Sequence, residues 1–108
     1  REDSMEISNL DSIPGKAITR HLGLVQGSTV RSKHVGKDIF AGLKNIVGGE
    51  LKAYTELLNE SRAEATERML AQARAVGANA VVNVRFATSN IASGAAEVMA
   101  YGTAVVVQ

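Results

Sequence analysis

Residues 95 to 107, AAEVMAYGTAVVV, lack a wholly polar face. In an extended chain alternate side chains point to opposite sides. Ala96, Val98, Ala100, Gly102, Ala104 and Val106 then line one side, and all are small. Glu97, Met99, Tyr101, Thr103 and Val105 line the other. A strand apolar on both faces is central in its sheet or covered by a partner. That requirement limits the fold: other strands flank this one, and a helix lies on its small-residue face.

The flanking elements follow from periodicity. Residues 78–90, ANAVVNVRFATSN, alternate, with Ala80, Val82, Val84 and Phe86 facing one way and Val81, Asn83, Arg85 and Ala87 the other. Ser93-Gly94 reads as the hairpin connection to the last strand. Residues 16–30, KAITRHLGLVQGSTV, read as a first strand, with Ile18, Leu22 and Leu24 on one face and Ala17, Thr19, His21, Gly23 and Val25 on the other. Gly23 and Gly27 signal a bend, a bulge or close packing. Residues 5–15 read as a short extended lead-in closed by Pro14-Gly15.

A short helix is expected from Asp38, and a long one over about 50–76. Leu51, Tyr54, Leu58, Ala65, Met69 and Val76 form its apolar stripe, and Gly77 stands where a left-handed C-cap belongs. Leu57 and Leu70 fall off the stripe, which marks them as candidate contacts to another subunit. The fold class is α+β: a two-layer β-α-β-β unit with an antiparallel three-stranded sheet, last strand central, under one long helix. The 108 residues read as one domain, with residues 1–4 outside the fold argument.

Composition excludes several functions. The chain has no Cys, which removes disulfides, thiolate catalysis and cysteine metal centres. Twelve basic against 11 acidic residues gives no broad attraction to nucleic acid or to an anionic membrane. No apolar run reaches the ~18 residues of a membrane helix. A cytoplasmic location is the expectation.

Gly48-Gly49 precede the long helix after a helical segment, not a strand, and no GxGxxG or Gly-Lys-Ser/Thr accompanies them. A helix–helix corner needing positive φ explains the pair better than a phosphate loop. No GxSxG elbow is present, and the glutamates from Glu50 to Glu67 are interleaved with Lys and Arg as on a solvated face. Arg62 lies close to the stripe and reads as a partly buried charge. The mixed sheet face would carry Thr19, His21, Asn83, Arg85, Glu97, Tyr101 and Thr103, with Val25, Met99 and Val105 between them. A subunit interface is the first reading of such a face and a ligand site through His21, Arg85, Glu97 and Tyr101 the second.

The stretch FAGLKNIVGGELKAYTELLNESRAEATERMLAQARAVGANAVVNVRF, with GLVQGSTV before it and YGTAVVV after it, resembles the YbjQ-like family, heavy-metal-binding by its label. The resemblance covers residues 15–107. It implies a dodecin-like subunit in a ring-shaped homopentamer. The chain is therefore expected to be a non-enzymatic homo-oligomer that needs no cofactor. Small-ligand binding in subunit clefts is one alternative. Transition-metal binding through His21 or His34, brought together by symmetry, is the other.

Overall fold

The computed structural model describes residues 4–32, 52–92 and 95–108. Four strands and one helix are present: β1 (Glu6–Ile7), β2 (Ile18–Ser32), α1 (Lys52–Ala75), β3 (Ala80–Ala92) and β4 (Ala95–Val107). The short helix expected from Asp38, His34 and the Gly48-Gly49 pair lie outside the described residues, as do the side chains of Leu51 and Leu57.

The sheet order is β1-β3-β4-β2. β4 pairs antiparallel with both β2 and β3, as its two-sided apolar character requires. The β3–β4 ladder runs to Ala92↔Ala95, and the Ser93-Gly94 connection expected between them lies outside the described residues. The sheet departs from the expected three antiparallel strands at its edge. The lead-in supplies β1, which runs parallel to β3 with Glu6 beside Ala80 and Ile7 beside Val81. The sheet is therefore four-stranded and mixed.

Alanine, glutamate and arginine dominate α1, all strong helix formers. Its buried ridge is Ser61, Ala65, Met69 and Ala73, spaced four apart so that they stack on one side. Val76, expected on the stripe, follows the last helical residue and is exposed. Leu70 is half-buried and packs against the helix-side core. Arg62, read as partly buried, is exposed and donates to the Asn59 side chain. The helix ends as a Schellman motif: Ala78 N–H donates to Ala73 O, Gly77 N–H donates to Arg74 O, and Gly77 has φ 89°.

Of four register shifts among the described residues, at Ile18/Arg20, His21/Gly23, Val82/Arg85 and Asn90/Ala92, the middle two set which core side chains reach which face. Between His21 and Gly23 the β2–β4 register shifts, with Gly23 at φ 101°. The extra residue returns Leu22 and Val25 to the same side, the helix side. Val25, expected on the mixed face, is buried under α1 instead, while Leu24 is exposed on the opposite face. The second of these two lies between Val82 and Arg85, where Asn83 has φ 54°. Val81 and Val84 both enter the helix-side core, and Arg85 lies opposite Tyr101 on the other face. The uniform alternation expected for 80–87 therefore breaks at Asn83.

The core has two compartments. Under α1, Val25, Ala65, Met69, Ala73, Val81, Val84, Val98, Ala100 and Ala104 form one cluster. On the opposite face, Ile13 from the lead-in seals Ala80, Val82, Val105 and Val107. Small residues let helix and sheet approach closely. A Cβ built on Gly27 would lie 2.3 Å from Met69 N and 2.5 Å from Ala65 O.

Candidate functional site

The sheet face turned away from α1 holds most of the polar residues singled out from sequence. Pairing places Arg85 directly across from Tyr101, and Gln26 across from Tyr101 on the other side. This gives a row Arg85–Tyr101–Gln26 across three strands. Glu97 pairs with Ser89 and Val30, four residues along β4 from Tyr101. His21 sits beside Val105, four residues from Tyr101 in the other direction. At about 3.3 Å per residue each separation is about 13 Å. Of the four candidate ligand residues the fold brings together Arg85 and Tyr101 and keeps His21 and Glu97 apart from them.

His21 is exposed. Among the described residues no group of three His, Asp or Glu is placed to hold a metal ion. His34, its expected companion, is outside that set.

The free edge of β2 is partly occupied by side chains of α1. Gln26 N–H donates to Gln72 Oε1 at 2.7 Å, and Arg68 Nη1 donates to Ser28 O at 2.6 Å. An edge strand otherwise presents unpaired backbone groups to any passing strand.

A groove not foreseen from sequence opens where the lead-in leaves β3. Its volume is about 840 Å³, and it is lined by residues 6–10, Ile13, Pro14 and residues 84–86. Backbone bonds fix its walls. Ser8 N–H donates to Val81 O, Val84 N–H to Ser8 O at 3.0 Å, and Asn83 N–H to Leu10 O at 2.7 Å. Arg85 Nη1 donates to Asn9 O at 2.8 Å and to Val84 O at 3.0 Å. Glu6, also in the lining, pairs with Lys16. Ile7, Leu10 and Phe86 are each about half exposed there. The sequence signal was the apolar series Met5, Ile7, Leu10 and Ile13 in a segment otherwise read as a lead-in.

Comparison with known proteins places this architecture. A family model described as "Putative heavy-metal-binding" matches residues 5–108. A UPF0145 protein of Hahella chejuensis is 70% identical over 96% of this chain and 100% of its own length. The chain belongs to the UPF0145 (YbjQ) family. An archaeal member, from Archaeoglobus fulgidus, is 56% identical with 96% of both chains covered. A UPF0145 protein of Psychrobacter arcticus is longer: the match covers 94% of this chain and 65% of that protein, at 65% identity. The fold is shared with a crystal structure of a DUF74-family protein of unknown function from Pediococcus pentosaceus. That likeness has a TM-score of 0.63 at 14% identity, over 96% of this chain and 98% of the other. No described helix of this UPF0145 chain is long and apolar enough to cross a membrane.

Proposed function

We propose that this UPF0145 chain is a subunit of a closed homo-oligomer, a pentameric ring by family resemblance, that works by binding and not by catalysis. The supporting observation is apolar surface among the described residues: Leu24 is 70% and Val30 51% exposed on the edge strand β2. Both lie on the face turned away from α1, paired with Thr103 and Glu97, where a second copy would cover them.

The spread of His21, Arg85 and Glu97 supports the non-catalytic reading, because acid–base partners work within hydrogen-bond reach. Small-ligand binding is the second reading, and the groove beside Arg85 favours it. The family's description supports a transition-metal alternative in which one exposed His21 per subunit gathers around a symmetry axis. Native mass spectrometry of untagged protein addresses all three. The expected spectrum shows a closed multimer. A monomer alone overturns the assembly, and an added metal or organic mass would favour the corresponding alternative.

A further inference from the structure

We infer that the groove at the β3 edge binds a small amphipathic carboxylate, its acid group on Arg85 on the face away from α1 and its apolar tail passing over the edge along Leu10 to Ile7 and Phe86, whose partners Val81 and Ala100 place them on the α1 side. This inference rests on the ligand-binding reading. Three observations point to that class.

The first is chemistry of the lining. Ile13, Pro14 and Val84 join Ile7, Leu10 and Phe86, so most side chains there are apolar. Three of them remain about half exposed to water, area that a hydrocarbon would cover. The second is the charge. Two ionised side chains line the groove, Arg85 and Glu6, and Glu6 is neutralised by Lys16. The net unmatched charge is the guanidinium, which selects an anion. The third is how Arg85 is held. Both protons of Nη1 are engaged on the carbonyls of Asn9 and Val84. Nε and Nη2 have no partner among the described residues, and these two nitrogens form the edge that grips a carboxylate with two parallel bonds.

The bulge explains how Arg85 arrives there. Asn83 holds φ 54°, an uncommon conformation for a residue with a side chain. It inserts one extra residue, so Arg85 leaves the side that Val81 and Val84 occupy. Bulges near binding sites re-aim a side chain in this way.

Ligand-observed NMR on the full chain with octanoate, octanol and octylamine tests the assignment. Octanoate should bind about tenfold tighter than either analogue, as charge-assisted bonds to one guanidinium allow. Arg85→Gln should remove that preference, so that octanoate and octanol bind alike in the same variant. Because Arg85 also holds Asn9, a second variant is needed. Leu10→Asp alters an exposed wall residue and should weaken octanoate more than octanol. Octanoate binding no tighter than octanol, or a preference that survives in both variants, overturns the carboxylate assignment while the ligand-binding reading stands. Binding of none of the three probes overturns both.

Discussion

At Gly27 the backbone of α1 lies against β2, and no side chain fits between them. Gly27→Ala forces the helix outward; overpacking of this kind costs about 1–3 kcal/mol. The expected result is a lower melting temperature at fixed protein concentration, and an unchanged melt would contradict the close approach. The sequence marked Gly27 for bending, bulging or close packing, and only the observed distance to Met69 and Ala65 selects the last. Asn79 was invisible as a structural residue. Its side-chain amide acts as an extra rung of the sheet: Nδ2 donates to Val107 O at 2.9 Å, and Oδ1 accepts from Val107 N–H at 2.8 Å. Asn79→Ala removes both bonds and should cost about 1–3 kcal/mol in urea unfolding. Nothing in local spacing distinguishes such an Asn from an ordinary turn residue, because its partners are 28 positions away.

The elements were legible where periodicity is strong. The small face of β4, the ridge of α1 and the Gly77 cap each follow from a local pattern that tertiary packing kept. Face assignment failed at the bulges, since one inserted residue reverses every later side chain. Val25 moved to the core for that reason, and Arg85 parted from Val81. The lead-in was legible as extended, but its parallel pairing as β1 was not, because two residues carry no period and the pairing rests on backbone bonds to β3. The bulge at Asn83 makes its own prediction. A β-branched residue fits its positive φ poorly, so Asn83→Val should destabilise by about 1–3 kcal/mol, whereas Asn83→Gly should be close to neutral. Equal melts for the two variants would contradict a bulge held at positive φ. Both can be read by circular dichroism.

The whole molecule is long and thin, 53 × 27 × 22 Å. Its 13-residue strands β3 and β4 reach about 43 Å. The 24-residue helix covers about 36 Å and lies mostly over β2 and β4. Phe86 on β3 is left half exposed as a result. None of this was readable from residue spacing, which reports local geometry and not how far a helix covers its sheet. A chain of this shape gains stability when a second copy covers what its own helix does not. The UPF0145 relationship is secure, and assembly is the claim that gives the surface its meaning. Size-exclusion chromatography with multi-angle light scattering, run from micromolar to submillimolar chain, tests it most directly. The account predicts one species at a fixed multiple of 11.4 kDa, five for the ring, with Leu24→Asp plus Val30→Asp shifting it toward monomer. A single 11.4 kDa species for the wild type across the whole range would contradict it.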